Sequence, residues 1–207
     1  MENINMNLLK AGRTGVTSDT PKNILFGAGT IHKNVAYTNG SWNFESSIIG
    51  ATQGGSKLSI VPEFVDVEAD GALVLVKGLK VKTGEAASME INFLEINKDI
   101  MTHALIGEEG TSEDSNFDVL QTKADVVDGD YYDNVAFVGQ TLDKRRIIVI
   151  MENVLCTSGF ESEGKNKEAG VGKCTFTSHA DITSDLQTLP VRIYYPKEAA
   201  AAAVQTP

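Results

Sequence analysis

The chain has 207 residues, 42% of them hydrophobic, and its 28 acidic residues against 18 basic ones give a formal net charge of −10. This length supports one hydrophobic core, so we expect a single domain. The acidic balance argues against a protein that reads DNA sequence, because such proteins need clustered Lys and Arg to bind phosphates.

The two ends of the chain differ in composition from its middle. Residues 1–21 are rich in Asn, Gly, Thr and Ser, and residues 197–207 read KEAAAAAVQTP. We expect an N-terminal arm, a β domain over residues 22–196 and a flexible C-terminal tail. The sequence has no run of about 18 apolar residues and no signal peptide at its start, which predicts a protein made in the cytoplasm without membrane contact.

Glycines mark the first part of the domain. Gly27 and Gly29 in LFGAGTIHK lack the third glycine of a dinucleotide-binding motif, so they indicate a turn. Asn39-Gly40 predicts a second turn. The stretch IIGATQGGSKLSIVPEF (48–64) resembles a phosphate-binding loop, but its Ser56 and Lys57 stand in the reverse order. Strand-like alternation and a proline follow, so we interpret it as a glycine turn that leads into a strand.

A period of two dominates the next segments and predicts half-buried strands. The alternation runs through 65–68, 79–82 and 89–93. Asp70-Gly71 predicts a tight hairpin turn between the first two. Later strands are predicted in RRIIVIMENVLC, KCTFTSH and PVRIYYP, and the first of these is apolar on both faces over 147–151, which predicts a central strand.

One helix is predicted in NKDIMTHALIG. Asn97 is a good N-cap, Ile100 and Ala104 form an i, i+4 apolar pair, and Gly107 is placed to end the helix. Its position among many strands predicts a mainly β fold, an antiparallel β-sandwich or partly closed barrel with one flanking α-helix.

Residues 108–133 hold nine acidic residues and a single basic one, so this segment contributes −8 of the net charge of −10. We interpret it as a solvated loop. A calcium site is the alternative, since DVVDGDYYD clusters oxygen ligands, although the spacing differs from that of an EF-hand.

Residues for catalysis do not assemble into a recognisable pattern. The three histidines lack the spacing of a zinc site, and Ser178, His179 and Asp181 lie along a strand, where they do not form a nucleophile and base pair. Cys156 and Cys174 are not in a CxxC arrangement, and we expect them to be reduced and buried, with contact across a hairpin left open. The sequence therefore predicts no enzyme, no cofactor and no metal site.

Four stretches in order resemble the major tail tube proteins of tailed bacteriophages of the long-tailed type. They are ILFGAGTIHKNV, IIGATQGGSKLSIVPEFVDVEADGALVLVKGLK, EAASMEINFLEINKDIMTHALIG and ADITSDLQTLPVRIYYP. The resemblance covers roughly residues 22–196. The acidic segment after the helix and the alanine-rich tail depart from the family pattern.

The resemblance implies a structural virion protein of two packed antiparallel sheets, with six copies in a ring and rings stacked into a hollow tube through which the genome passes. It implies assembly in the host cytoplasm, with tape measure, distal tail and terminator proteins as partners and no specific binding of DNA.

The resemblance also implies that an N-terminal arm and a long loop join neighbouring rings, which we place at residues 1–21 and at about Ala36 through Lys57. The expected interface residues in this loop are Trp42, Phe44, Gly50, Gly54, Gly55, Ser56 and Lys57. For the aromatic pair Trp42 and Phe44, a local anchor under the loop and a buried contact between subunits fit equally well.

Three alternatives stay open at this point. The first is the inner tube protein of a contractile tail or of a phage-derived bacteriocin. The second is a nucleotide-binding enzyme that uses Ser56 and Lys57, and the third is a carbohydrate-binding β-sandwich or surface adhesin.

Overall fold

A computed structural model describes residues 14–164 and 166–197. Most of the predicted N-terminal arm and most of the C-terminal tail therefore lie outside the described residues. No helix in the described ranges has both the length and the apolar character that a membrane crossing requires.

The described chain is mainly β. Its strands are β1 Leu25–Lys33, β2 Tyr37–Thr38, β3 Ser41–Trp42, β4 Thr52–Asp66, β5 Lys80–Phe93, β6 Gly107–Gly110, β7 Val119–Thr122, β8 Tyr132–Thr141, β9 Arg146–Cys156, β10 Glu161–Glu163, β11 Val171–Ser178 and β12 Val191–Tyr194. The helices are the single turns α1 Thr20–Asn23 and α2 Phe44–Ser47, the longer α3 Lys98–Leu105 and a 3-10 turn at Asp128–Asp130.

One antiparallel sheet of eight strands organises the fold. Its strand order is β1-β8-β9-β11-β5-β4, with β10 on β11 and β12 on β9. The sheet does not close into a barrel, and β2–β3 and β6–β7 form separate two-stranded sheets. The prediction of a mainly antiparallel β fold with one flanking helix is confirmed.

Strand β9 is central, as its apolar run predicts. It pairs with β8 along most of its length, with β12 over Ile148–Met151 and with β11 over Val154–Cys156. Its neighbour β8, which the sequence analysis did not identify as a strand, is likewise apolar on both faces. Successive side chains on a strand point to opposite faces, so β8 and β9 feed one apolar cluster on each side of the sheet.

The inner face carries the larger core. The fully buried side chains there include Met89, Ile91 and Phe93 of β5 together with Phe176 of β11, and the rings of Phe93 and Phe176 meet edge to face at 6.3 Å. The smaller cluster on the outer face contains Val35, Ala136, Ile148 and Ile150.

Helix α3 closes the inner core from the side. The side chain of Asn97 accepts a hydrogen bond from the backbone N–H of Ile100 at 2.9 Å, which confirms the predicted N-cap. The prediction that Gly107 ends the helix is wrong, because Ile106 is the residue that takes the left-handed conformation at the C-terminal end (φ 50°). Gly107 instead begins β6, where a Cβ atom would lie 3.2 Å from the carbonyl oxygen of Gln121. Glycine is needed there for close approach.

Two predicted turns are parts of strands or of longer connections. Gly27 and Gly29 lie within β1, where the pairing with β8 shifts register between Phe26 and Thr30. Asp70-Gly71 does form a turn, and Gly71 has φ 85°, but the connection between β4 and β5 spans residues 67–79. The prediction of a tight hairpin turn at Asp70-Gly71 is therefore wrong. The predicted turn at Asn39-Gly40 is confirmed as the two-residue turn of β2–β3.

The acidic segment is more ordered than the predicted loop. Strands β6 and β7 pair within it, and Lys98 of α3 forms ion pairs with Glu109 and Asp118. Asp130 is buried, and its carboxylate pairs with Lys123 at 2.6 Å. Burial opposes ionisation of Asp130, but the hydrogen bonds from Lys123 and from the Val127 backbone lower its pKa overall.

Candidate functional site

An aromatic cluster covers part of the outer face of the sheet. The ring of Trp42 lies 5.1 Å from Tyr37, 5.6 Å from Phe44 and 5.1 Å from Tyr194. Trp42 and Phe44 also pack against the outer-face cluster that contains Ile148. The structure thus places both predicted aromatic residues as anchors of the β2–β3 hairpin on their own chain, and their predicted contact with another subunit stays a prediction.

The chain around the aromatic cluster is held by side-chain hydrogen bonds. Asn43 accepts from the Ala36 backbone N–H at 2.9 Å and donates to the Asn34 carbonyl oxygen at 3.1 Å. Since Asn43 precedes α2, these bonds tie the hairpin and the helical turn to the end of β1. They fix the position of Phe44, which begins α2.

His32 is buried beside Phe44. Its ring nitrogens share hydrogen bonds with the hydroxyl groups of Thr30 at 2.7 Å and Ser47 at 2.9 Å, and the ring lies 5.3 Å from Phe44. Burial lowers the pKa of His32 below its ordinary value. The two hydroxyl partners satisfy both ring nitrogens of the neutral imidazole, so they hold the ring in place beside Phe44.

Next to Phe44 the outer face opens into a cavity of ≈ 460 Å³, here called the Phe44 groove. Its apolar wall consists of Phe26, Phe44, Ile48 and Val138, and the charged side chains of Glu45 and Arg146 also line it. Phe26 is 67% exposed, so the groove presents apolar surface to solvent. Sequence reasoning missed the groove, since its residues come from distant segments.

The predicted interface glycines occupy two different settings. Gly50 packs inside the chain, where a Cβ atom would lie 3.4 Å from the Glu95 carbonyl oxygen and from Ile100. Gly54 and Gly55 have φ of 84° and 82° and lie in β4, where the pairing with β5 is irregular between Thr52 and Ser56. Their positive φ angles make a bulge, which explains the glycines without reference to a partner.

Ser56 and Lys57 belong to the regular part of β4. They stand opposite Ile91 and Glu90 of β5, and the strand continues through Pro62. This placement confirms the predicted strand, and a phosphate-binding loop would need a helix there. The predicted glycine turn before the strand is instead a bulge within it. The predicted loop from Ala36 through Lys57 is wrong as a single loop, since it holds β2–β3, α2 and the start of β4.

The predicted interface residues do not form one surface. Trp42 and Phe44 pack over β8 and β9, whereas Gly54 through Lys57 lie on the edge strand β4. Lys57 is exposed there as an edge charge.

The most exposed apolar segment lies at the end of the β4–β5 hairpin and was not predicted. Leu73, Val74 and Leu75 are 98%, 78% and 77% exposed, and Val76 follows them. We call Leu73–Val76 the hairpin tip. Its sequence signal is a run of four apolar residues without alternation. Exposed apolar residues in such a run are typical of a surface that binds another protein.

The candidate catalytic residues have structural partners. The hydroxyl of Ser178 donates to the Glu152 carbonyl oxygen at 2.8 Å rather than to His179. Cys156 and Cys174 are free and buried. The neighbouring Cys156 thiol and burial both raise the pKa of the Cys174 thiol.

Ligands for a metal ion do not come together either. In residues 14–164 and 166–197, no group of three or more His, Cys, Asp or Glu side chains is placed to hold a metal ion.

The fold and these surfaces define a mainly β protein with an exposed apolar hairpin. No protein-family model matches the chain, and no curated protein matches it. Among solved structures it is similar to a chain in the virion of a native gene transfer agent particle, with 14% identity, a TM-score of 0.40, and coverage of 74% of this chain and 92% of that one.

A second similar chain comes from the tail of an empty gene transfer agent particle with C6 symmetry. The identity is 13%, the TM-score is 0.40, and the match covers 82% of this chain and 96% of that one. Similarity at this level is too remote to carry a function from those particles to this chain.

Proposed function

We propose that this chain is a structural subunit of a phage tail tube. Copies associate into rings of six, the rings stack into a hollow tube in the virion, and the genome passes through the tube. The proposal rests on the ordered sequence motifs over residues 22–196 and on one structural observation, the long hairpin that leaves the core with open edges and exposed apolar side chains.

The open edges favour association between copies. Within the described residues, β4 pairs only with β5 along a strand of 15 residues, and β12 pairs only with β9. Strand β1 pairs with β8 and on its other side makes one isolated bridge, from His32 to Ile48. Unpaired edge strands offer backbone N–H and C=O groups to another strand. In a ring, each copy can supply one edge to its neighbour, so closure removes the free edges.

The far half of the hairpin is apolar and uncovered. Buried side chains of β5 end at Ala87, yet the strand continues back to Lys80, about 23 Å away at roughly 3.3 Å per residue. Over this length Val61, Phe64, Val65 and Val81 are about half exposed. A strand pair with apolar side chains exposed on both faces is typical of one that is covered in an assembly.

The charge of the chain agrees with passage of DNA without binding. A ring of six copies carries a formal charge of −60, six times −10. DNA inside such a ring meets few cations that could displace its counterions, so it slides rather than binds.

Negative-stain electron microscopy of the purified full chain over a concentration series tests the proposal. We expect hollow tubes or stacked rings with sixfold symmetry above a threshold concentration. Protein that stays monomeric at every concentration, also with the other tail proteins present, contradicts the proposal. A contractile sheath around the tubes in virions supports the contractile alternative instead.

A matched pair of variants links assembly to the hairpin. Phe64→Ser combined with Val65→Ser removes apolar area worth about 3 kcal/mol in total when buried, so the threshold concentration rises about a hundredfold. Ile182→Ser serves as the control, because Ile182 is an even more exposed apolar side chain in the single chain but lies outside the hairpin. An equal effect of the control contradicts a specific role of the hairpin.

A further inference from the structure

The turn of the β2–β3 hairpin holds the one Asn-Gly pair of the sequence, Asn39-Gly40. The two residues have φ angles of 51° and 84°, the positive values of the two-residue hairpin turn that Asn-Gly favours. Glycine has no side chain to shield its backbone nitrogen, and a Cβ atom added to Gly40 would meet no heavy atom within 4 Å. The backbone nitrogen that follows Asn39 is therefore sterically open.

The side chain of Asn39 is free to react. It is exposed, and within residues 14–164 and 166–197 its carboxamide makes no hydrogen bond. Asn116 is also exposed but differs in both respects, because its amide donates to Asp114 at 2.7 Å and the bulky Phe117 follows it. A free carboxamide and an unshielded backbone nitrogen thus coincide at Asn39.

These two groups can react with each other. The backbone nitrogen of Gly40 attacks the side-chain carbonyl carbon of Asn39, and the new C–N bond closes a five-membered succinimide ring. The bond to the side-chain nitrogen breaks, and that nitrogen leaves as ammonia with the proton of the Gly40 N–H. Water then adds to either carbonyl group and opens the ring. The products are aspartate, or isoaspartate, in which the main chain runs through the side-chain carboxyl group.

The hairpin must open briefly for the ring to close. In a turn of this type, the Gly40 nitrogen and the Asn39 carboxamide lie on opposite sides of the Asn39 Cα–C bond. The strands Tyr37–Thr38 and Ser41–Trp42 are very short, and a two-stranded hairpin is marginally stable on its own. Packing of Trp42 in the aromatic cluster holds the hairpin in place. The cluster therefore limits how often the turn opens, and with it the rate of the reaction.

We propose that Asn39 is a site of spontaneous deamidation, and that isoaspartate at this position releases the β2–β3 hairpin from the sheet. Isoaspartate lengthens the main chain by one carbon atom, so the turn no longer aligns Thr38 with Ser41. Once this register is lost, Trp42 leaves the aromatic cluster. Aspartate does not alter the main chain and keeps the hairpin in place. The inference concerns the single chain and does not depend on the proposed tube function.

Peptide mass spectrometry of the purified full chain, sampled during storage at mildly alkaline pH, tests the inference. We expect conversion of amide to acid at Asn39 to be about tenfold or more faster than at Asn116, with separate aspartate and isoaspartate peptides. Gly40→Ala shields the backbone nitrogen and should slow the conversion severalfold. Equal rates at Asn39 and Asn116, or no conversion at Asn39, overturn the inference.

The fluorescence of Trp42, the single tryptophan, reports the release of the hairpin. As isoaspartate accumulates, the emission should shift to longer wavelength, because the indole leaves the apolar cluster for water. Asn39→Asp is the matched control: it carries the charge of the aspartate product on an unaltered main chain, so its emission should match that of fresh wild-type protein. Constant emission while isoaspartate accumulates, or an equal shift in fresh Asn39→Asp, overturns the release.

A variant of the cluster tests its control over the rate. Trp42→Ala loosens the hairpin, so conversion at Asn39 should become severalfold faster while the rate at Asn116 stays unchanged. Equal acceleration at both asparagines, or none at Asn39, overturns the control of the rate by the aromatic cluster.

Discussion

Replacement of Trp42 by alanine tests the role of the aromatic cluster on the outer face. The indole contacts three rings and the outer-face apolar cluster, but the side chain is only half-buried. Full truncation of a buried aromatic residue costs about 3–5 kcal/mol. For a half-buried one we expect about 2–3 kcal/mol, less than the total stability of about 5–15 kcal/mol typical of a domain.

The variant therefore remains folded but less stable, and its melting temperature falls by about 5–10 °C at roughly 2–4 °C per kcal/mol. Circular dichroism is the suitable readout, because Trp42 is the single tryptophan and its loss removes the fluorescence signal. Trp42→Phe keeps a ring in place and should recover most of the loss. Tyr37→Ala, which removes an exposed ring, should cost less than about 1 kcal/mol.

The same variant carries the prediction about assembly. A loosened β2–β3 hairpin displaces Phe44 and with it one wall of the Phe44 groove, so the yield of tubes falls although the monomer stays folded. A loss of stability below about 0.5 kcal/mol refutes the packing argument, because substitutions at surface positions without such contacts already change stability by up to that amount. A wild-type yield of tubes refutes the connection between this cluster and assembly.

Three further predictions concern stability. Burial lowers the pKa of His32 in the folded state, so on acidification the unfolded chain takes up a proton at this residue at a higher pH than the folded chain does. The free energy of unfolding therefore falls as the pH drops below about 6.5. His32→Gln should flatten this pH dependence, as measured by urea titrations at pH 5 and 7. Asn97→Ala removes the cap of α3 and should cost about 1 kcal/mol by chemical denaturation, whereas Asn97→Ser should retain most of it. Gly29→Ala should destabilise the fold far more than Gly40→Ala in thermal melts: both have positive φ, but only at Gly29 would a Cβ atom meet a ring, 2.5 Å from Phe137. Equal losses of stability in the two variants would show that the positive φ angle alone, and not the contact with Phe137, sets the cost of the substitution.

The strands of the inner core were predictable because each buries one face, which makes apolar and polar residues alternate along the sequence. Met89, Ile91 and Phe93 alternate with polar residues, and all three are fully buried in β5. The N-cap at Asn97 was predictable for a similar reason, since its side chain acts on the chain only three residues away. Local chemistry and period are both visible in a sequence.

Other features depend on distant partners and were not predictable. Strand β8 has apolar residues on both faces, so it shows no alternation, and Ala136 and Phe137 are buried on opposite sides of the sheet. The Phe44 groove exists because pairing of β1 with β8 sets Phe26 opposite Gln140 and Thr30 opposite Val138, and all four residues line it. For the hairpin tip, the sequence shows an apolar run but cannot show whether the fold covers it.

The two halves of the β4–β5 hairpin contribute to different properties of the protein, the near half to folding and the far half to association. Its near half, up to Ala87, supplies buried side chains to the inner core, and its far half supplies none. Substitutions in the near half should therefore change the stability of the monomer, whereas substitutions in the far half should change association at nearly constant stability. The two strands end at Asp66 and Lys80, so a stable core holds both ends of the connection that carries the hairpin tip at a fixed distance from the core. Fixed ends restrict the connection and lower the entropy cost of ordering it in a contact with another chain.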